Sequence, residues 1–247
     1  MQLKTSGIII KRINYGEADR ILTIFTRNQG KIKAIAKGSR KILSKLGGSL
    51  EPFCLVDFIF HEGKSFYIVT SASIIRRFEN IHTDIDKTSK AFYIGEILDK
   101  SLQEHQKHPE IFDIFAKYLT GLEVVDDAIF IPFFSAKILE AIGFKPEVSK
   151  CLHCRNKLLP EQNFWDDVEG GAICQNCHDK FGHGGKISND VIKILRLIFS
   201  TEFSVDSKIN INDKYKNQTE QVLESYIEGV LERELKSKKF MKDMAKS

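Results

Sequence analysis

The segment RILTIFTRNQGKIKAIAK, residues 20–37, determines the fold of the N-terminal part of the chain. Its first half is a β-branched apolar run. Its second half alternates basic and apolar residues with the period of two that is typical of a β-strand. Residues 28–30, Asn-Gln-Gly, separate the halves and predict a hairpin turn. Similar runs occupy residues 7–13, before this segment, and residues 54–61 and 66–77, after it. Five short strands at this spacing predict a small β-barrel.

After about residue 80 the apolar residues take the spacing of amphipathic helices. We expect a first helix capped by Thr83 or Asp84, a second that begins at Pro109, and a later one capped by Ser188. The lysine-rich end, from Lys236 onward, is expected to be frayed. The predicted fold class is α+β and multidomain. A β-barrel occupies residues 1–80, and an α-helical domain occupies residues 81–247 with a cysteine module inserted at residues 148–180.

Four cysteines follow the pattern C-x2-C, nineteen residues, C-x2-C: Cys151, Cys154, Cys174 and Cys177. This spacing is typical of two knuckles that hold one Zn²⁺ with four thiolates. The alternatives are two disulfides or four unrelated thiols. An expected reducing compartment disfavours the first, and the paired spacing disfavours the second. Because four thiolates leave no coordination position open, we predict one structural zinc ion per chain that has no catalytic role.

Three histidines, His153, His178 and His183, lie near the cysteines in the sequence. One of them could replace a cysteine as a zinc ligand, although a position on the surface or beside the site is favoured. The segment between the two knuckles predicts a β-hairpin, which would make the module a zinc ribbon.

The net charge of +4 conceals an asymmetry. Residues 1–50 carry eleven Lys or Arg residues and two acidic residues, which gives +9 in this part and −5 in the rest. A strongly basic face suits a polyanion, and a nucleic acid is favoured over a solvated face with no partner. Candidate contacts lie on the third strand, its flanks and the following loop: Arg27, Lys31, Lys33, Lys37, Arg40, Lys41 and Lys45.

The sequence contains no nucleophile elbow, Walker A loop or dinucleotide fingerprint. The pair Asp166-Asp167 could bind a metal ion, but it is interpreted as two solvated acids at the tip of a hairpin. Residues 182–186 are interpreted as a flexible linker rather than a phosphate loop. Neither a membrane-spanning apolar run nor a signal peptide is visible. We therefore expect a cytoplasmic protein that is not an enzyme and has no membrane partner.

Three segments follow a pattern known from one bacterial family: YGEADRIL at residues 15–22, GKIKAIAKG at 30–38, and KILEAIGFKP at 137–146, just before the first cysteine knuckle. The chain resembles the recombination mediator family RecO over nearly its whole length. Not every member keeps the four cysteines, so the resemblance is to the zinc-containing branch. The resemblance implies that the barrel is an OB-fold and that the second domain is helical.

The resemblance also implies a function. Members of this family bind single- and double-stranded DNA and anneal complementary strands. They act with RecR, and in many bacteria with RecF, to load RecA onto DNA coated by single-stranded-DNA-binding protein (SSB). Some hold the acidic, apolar-ended C-terminal tail of SSB in a pocket of the helical domain. For this chain we accordingly expect DNA on the barrel and a zinc module that stabilises the docking domain.

Three other interpretations stay open at this point. The chain could be an RNA-binding module built from an OB-fold and a zinc ribbon. It could be a nucleic-acid enzyme with a structural zinc, or an adaptor whose basic face is only solvated. The ribbon itself could touch DNA through Arg155 and Lys157.

Overall fold

A computed structural model of the chain describes residues 2–124, 130–160, 162–202 and 211–244. Within these ranges no helix has both the length and the apolar composition required to cross a membrane. The chain divides into two compact units, Met1–Asp126 with Lys236–Ser247, and Asp127–Leu235.

Five strands of the first unit form a closed barrel in the order β1-β2-β3-β5-β4, which confirms the predicted barrel. The β3–β5 pair is parallel, and the other strand pairs, including the closing β1–β4 pair, are antiparallel. The strands are β1 (Gln2–Tyr15), β2 (Asp19–Thr26), β3 (Gly30–Ala36), β4 (Leu55–His61) and β5 (Tyr67–Arg76).

The alternation of β3 determines which side chains fill the barrel. Ile32, Ala34 and Ala36 are fully buried in its core, together with apolar residues of the other four strands. The opposite face of β3 is covered only in part, since Lys31 is buried whereas Lys33 is exposed. Four helices belong to the same unit as the barrel: α1 (Glu79–Thr83), α2 (Ile85–Ser101), α3 (Pro109–Val124) and α8 (Lys236–Met244).

Two helix ends in the first unit bear on the predictions. Asp84 caps α2, since its Oδ1 accepts hydrogen bonds from the backbone N–H groups of Asp86 and Lys87 at 2.9 and 3.2 Å.

The expected fraying after Lys236 is wrong for residues 236–244, which form α8 and pack on α2. Ser237 donates from its backbone N–H and its hydroxyl to Glu96 Oε2. Burial opposes ionisation of Glu96, but these hydrogen bonds outweigh it and lower its pKa.

The second unit joins helices to a small sheet of order β7-β6-β8. Helices α4, α6 and α7 pack on one another, and Ser188 caps α6 as predicted, accepting from Val191 N–H at 3.2 Å. The predicted hairpin is β6–β7. The predicted linker after Gly182 is wrong in part, because residues 185–187 form β8 on the free edge of β6. The elements are α4 (Phe130–Ala141), β6 (Asn163–Asp166), β7 (Gly171–Cys174), α5 (Gln175–Phe181), β8 (Gly185–Ile187), α6 (Asn189–Ser200) and α7 (Asp213–Leu231).

The predicted domain bounds, 1–80 and 81–247, stay predictions, and the compact units divide the chain elsewhere. The first unit extends past residue 80 because α1 to α3 bury apolar surface of the barrel; Phe25 of β2, for example, lies 5.8 Å from Phe112 of α3 between ring centroids. The sheet of the cysteine module also runs beyond the predicted end at residue 180, since β8 completes it.

Two glycines with positive φ test how closely the helical segment approaches the barrel. A Cβ on Gly30 (φ +68°) would lie 1.8 Å from the carbonyl oxygen of Gln106, whereas a Cβ on Gly16 (φ +56°) would meet nothing within 4 Å. We expect Gly16→Ala to cost about 1 kcal/mol of unfolding free energy for its left-handed backbone. Gly30→Ala should cost roughly a further 1–3 kcal/mol, because the backbone of Gln106 or of Gly30 itself must move to make room for the new methyl group. Chemical denaturation of both variants measures the difference, and equal costs would contradict this close packing.

Candidate metal centre and nucleic-acid interface

The two cysteine knuckles bring four sulfur atoms together. Cys151 and Cys154 lie in the turn that precedes the small sheet, Cys174 ends β7, and Cys177 lies in α5. All four sulfurs lie within 4.8 Å of one another. Cys154 Sγ and Cys174 Sγ are 3.7 Å apart, close to the edge of about 3.8 Å that a tetrahedron with metal–sulfur bonds of ~2.3 Å requires. The cluster can therefore hold a metal ion.

Backbone hydrogen bonds shape the first knuckle. Arg155, with φ +60°, turns the chain so that its N–H donates to the carbonyl oxygen of Cys151 at 3.0 Å. Leu152 N–H donates to Ala172 on β7 at 2.8 Å, which fixes the knuckle against the hairpin. The N–H of Cys174 points at Cys151 Sγ, 3.4 Å away. The fold thus holds both knuckles in place through its own hydrogen bonds.

The environment of Cys151 favours a thiolate. Burial opposes its ionisation, but the backbone N–H groups of Cys174, Cys154 and His153 outweigh burial and lower the pKa of Cys151 to about 6. Metal ligation needs a thiolate, so this sulfur is ready for metal at neutral pH. Cys54, by contrast, is buried in the barrel, and burial raises its pKa to about 11. That thiol is a core residue of the barrel.

The nearby histidines lie outside the four-sulfur cluster. The ring of His178 stacks on Phe164 at 3.5 Å, and its Nδ1 lies 2.7 Å from the carbonyl oxygen of His183. His153 and His183 form a separate group with Asp166. The interpretation of Asp166 as a solvated acid is wrong, because this residue is buried. Its Oδ1 accepts hydrogen bonds from the N–H groups of Val168 and Glu169 and so holds the β6–β7 turn.

The predicted cations on β3 and its approach are paired with carboxylates of the helical segment. Arg27 lies 2.9 Å from Asp113, and Lys33 lies 2.5 Å from Glu104, which raises the pKa of Lys33 through their hydrogen bond. Lys31 is buried, and its Nζ donates to the backbone carbonyl and to Oδ1 of Asp99. Lys31, a predicted contact, therefore does not present its ammonium group to solvent, because α2 and the segment after it cover that position.

The remaining predicted cations lie together in the loop between β3 and β4. Lys37, Arg40, Lys41 and Lys45 are exposed, and none forms an ion pair with a carboxylate of the described residues. Backbone hydrogen bonds hold the loop: Arg40 N–H donates to the carbonyl oxygen of Ala18, in the β1–β2 turn, at 2.9 Å, and Lys41 N–H donates to that of Gly38 at 3.1 Å. These four cations form the most available anion-binding surface among the predicted residues. We call this surface, residues 37–45, the basic loop.

Sequence reasoning missed two apolar residues of the basic loop. Ile42 and Leu43 have relative exposures of 102% and 95%, so neither packs on the protein. The sequence did contain a signal for them: two adjacent apolar residues lie between Lys41 and Lys45, in a segment without the periodicity of a strand or a helix. Apolar side chains at the tip of a basic loop can contact bases while the cations contact phosphates.

These features define a class of protein: a closed five-stranded barrel of OB type with an exposed basic loop, joined in one chain to helices that carry a cysteine-knuckle metal module. The model of the family described as "Recombination protein O N terminal" matches residues 1–78, and that described as "Recombination protein O C terminal" matches residues 82–239. The chain belongs to the RecO family.

Curated relatives named "DNA repair protein RecO" agree with this assignment. The relative from Dehalococcoides mccartyi is 34% identical over 95% of this chain and 92% of its own length. That from Bacillus pumilus is 32% identical over 99% and 95%, and that from Thermoanaerobacter sp. is 28% identical over 98% of both chains. The similarity thus spans both the barrel and the helical part.

Removal of one cysteine ligand tests the metal centre. We expect purified protein to hold at least one metal ion per chain, and Cys174→Ser to lose the ion held by the four sulfurs. The midpoint of thermal unfolding should fall by roughly 5–10 °C, because a structural metal contributes several kcal/mol and each kcal/mol shifts a chain of this size by about 2–4 °C. Elemental analysis and calorimetry measure both effects. Cys54→Ala is the control, since its sulfur lies outside the cluster; folded, metal-free wild-type protein would refute the assignment.

Proposed function

We propose that this chain is a DNA-binding recombination mediator that anneals complementary strands and helps to load RecA onto SSB-coated single-stranded DNA. The observation that carries the proposal is the basic loop, with four exposed cations that lack a carboxylate partner among the described residues, on an OB-type barrel of a RecO family chain. The curated relatives are named DNA repair proteins, which supports DNA as the polyanion.

The mechanism that we propose is electrostatic. Two complementary strands repel each other through their phosphates, and cations between them reduce this repulsion and release condensed counterions. Lys37, Lys41 and Lys45 suit this role because they do not have to break an ion pair before they bind a phosphate. Ile42 and Leu43, which lie between Lys41 and Lys45 in the sequence, would contact unstacked bases while these lysines contact phosphates. Neither contact reads sequence, so binding should be independent of sequence.

We propose that the ion in the four-cysteine cluster is Zn²⁺, one per chain in this site, because four thiolates at tetrahedral separation suit zinc. Zinc held there by Cys151, Cys154, Cys174 and Cys177 would stabilise the second unit. Four thiolates leave no open position for a reactive water, which supports a role that is structural and not enzymatic. We place the protein in the cytoplasm, with the nucleoid, where the chromosome is repaired.

The partners that we propose are RecR, RecF and SSB, with RecA reached indirectly. For the SSB tail the second unit offers a cleft of about 680 Å³. Its apolar lining includes Leu152 and Phe199, and its cationic lining includes Lys145, Arg155 and Arg196. Lys145 lies 2.6 Å from Glu140 and Arg155 lies 3.5 Å from Glu147, so an acidic tail would compete with these two carboxylates. Lys145 Nζ lies 5.4 Å from the centroid of the Phe199 ring, so a cation and an apolar surface adjoin. An acidic tail with an apolar end needs both features.

Matched pairs of charge neutralisations test the DNA contacts. The variant Lys41→Gln with Lys45→Gln should flatten the dependence of log affinity on log salt by about 1.4, since each lost single-strand phosphate contact removes about 0.7. Arg27→Gln with Lys33→Gln removes the same charge from residues already paired with carboxylates, and should change the slope much less. Titration of labelled single-stranded DNA at several salt concentrations measures both slopes. Equal slopes for the two double variants would contradict the assignment of the basic loop.

Charge reversal in the cleft tests the docking of the SSB tail. We expect Lys145→Glu with Arg155→Glu to weaken binding of a peptide with the sequence of that tail by about tenfold or more, which corresponds to ~1.4 kcal/mol. Fluorescence anisotropy of the labelled peptide measures the affinity. Lys193→Glu is the control, because this exposed residue of α6 is not part of the cleft lining. Unchanged affinity in the double variant would exclude the cleft.

An annealing assay on SSB-coated complementary strands tests the function as a whole. The protein should accelerate duplex formation, with full-length strands recovered after prolonged incubation with Mg²⁺. Failure to anneal would contradict the mediator function, and shortened strands would show a nuclease instead. Tighter binding to RNA than to DNA of the same length would favour the RNA-binding alternative.

A further inference from the structure

Beside the four-sulfur cluster lie three other side chains that the metal centre does not use. His153 is on the first knuckle between two of the cysteines, Asp166 ends β6, and His183 lies in the turn that leads into β8. Each offers one ligand atom, and these three atoms lie within 4.8 Å of one another. The chain thus brings two imidazoles and one carboxylate to a single point from three separate segments.

The three side chains are held in this arrangement by their surroundings. Asp166 uses Oδ1 for the N–H groups of Val168 and Glu169, at 2.8 and 3.0 Å, which leaves Oδ2 to face His183 Nδ1 at 2.9 Å. A carboxylate fixed through one oxygen and offered through the other is typical of a metal ligand with outer hydrogen bonds. The ion pair between Asp166 and His183 leaves His153, the third member of the group, without a role.

His153 supplies the independent observation. Its Nε2 is buried and has no hydrogen-bond partner in the described part of the chain. A buried polar atom without a partner is destabilising and calls for an explanation, such as a bound ion. The ring of His153 lies 5.1 Å from that of His183 at an angle of 89°, and 4.7 Å from Phe181, so the site has an apolar wall.

The turn that carries His183 is built to present it. Gly182 and Gly184 flank the histidine with φ of +72° and +95°, and such a backbone favours glycine. The carbonyl oxygen of His183 lies 2.7 Å from His178 Nδ1, in α5. This contact holds the turn to α5, although residues 182–184 belong to no strand or helix.

We propose that His153, Asp166 and His183 form a second metal site, for a divalent transition-metal ion such as Zn²⁺, Co²⁺ or Ni²⁺. Two imidazoles with one carboxylate suit these ions, whereas Mg²⁺ and Ca²⁺ prefer oxygen ligands alone. Ligand bonds of ~2.1 Å place the ligand atoms about 3.4 Å apart in a tetrahedron, so His183 and Asp166 separate by about half an ångström on binding. Unlike the four-cysteine site, three protein ligands leave one position open to a water or an anion.

The bound ion would connect three parts of the ribbon: the first knuckle, the end of β6 and the turn before β8. It would fasten β8 to the sheet at the point where β8 pairs with β6 over only three residues. This role is separate from DNA binding and does not depend on the function proposed above.

A metal count on the full-length chain tests the site. Protein stripped of metal is titrated with Co²⁺, and absorption is followed together with elemental analysis. We expect two ions per chain in the wild type. The four-thiolate ion gives intense sulfur-to-cobalt charge-transfer absorption, and the second ion adds only weak d–d absorption because its ligands are nitrogen and oxygen.

The variants His183→Ala and Asp166→Asn should each bind one ion with the charge-transfer band intact, and that band also reports that the ribbon is folded. Asparagine keeps an acceptor for the two turn N–H groups, so Asp166→Asn serves if His183→Ala fails to fold. His61→Ala, an exposed histidine of the barrel, should keep both ions. Saturation of the folded wild type at one ion per chain, or retention of two ions by either variant, would overturn the proposal.

Discussion

The packing of α2 and the segment after it on the outer face of β3 determines which cations of the basic N-terminal part are available. Lys31 is buried there with its ammonium on Asp99, and His105 N–H donates to the Lys31 carbonyl at 2.9 Å. This approach is close enough that Gly30 has no room for a side chain. A lysine in this position holds the barrel to its helices, and removal of either charge would leave the other poorly compensated.

The availability of the other cations follows from this packing. Arg27 and Lys33 also face carboxylates of α3 and of the segment after α2, so three of the seven predicted DNA contacts are committed within the first unit. None of the four cations of the basic loop forms an ion pair with a carboxylate in the described part of the chain. The strong positive charge of residues 1–50 thus divides into a part that stabilises the fold and a part that is free for a polyanion. The apolar tip, Ile42 and Leu43, lies on the free part.

Local patterns in the sequence predicted the local structure well. The alternation in β3, the caps Asp84 and Ser188, and the paired cysteine spacing each depend on residues close in the chain. Most of the failures involve contacts between distant residues. Nothing near Lys31 indicates Asp99, sixty-eight positions away. The sequence near residue 185 lacks a strand pattern, since β8 is three residues long and exists because β6 has a free edge. The residues from Lys236 onward were likewise misjudged, because α8 packs on the distant helix α2. Asp166 was misjudged for a local reason: the sequence does not show the turn geometry that directs the N–H groups of Val168 and Glu169 at its carboxylate.

The central claim is that the lysines of β3 and of the basic loop have different roles, and lysine reactivity measures this directly. The chain can be acetylated briefly with and without single-stranded DNA, and the modified sites counted by mass spectrometry. The account predicts that Lys37, Lys41 and Lys45 react in the free protein and are protected by DNA, while Lys31 is unreactive in both states. Strong reaction of Lys31 that DNA suppresses, with no protection in the basic loop, would contradict it.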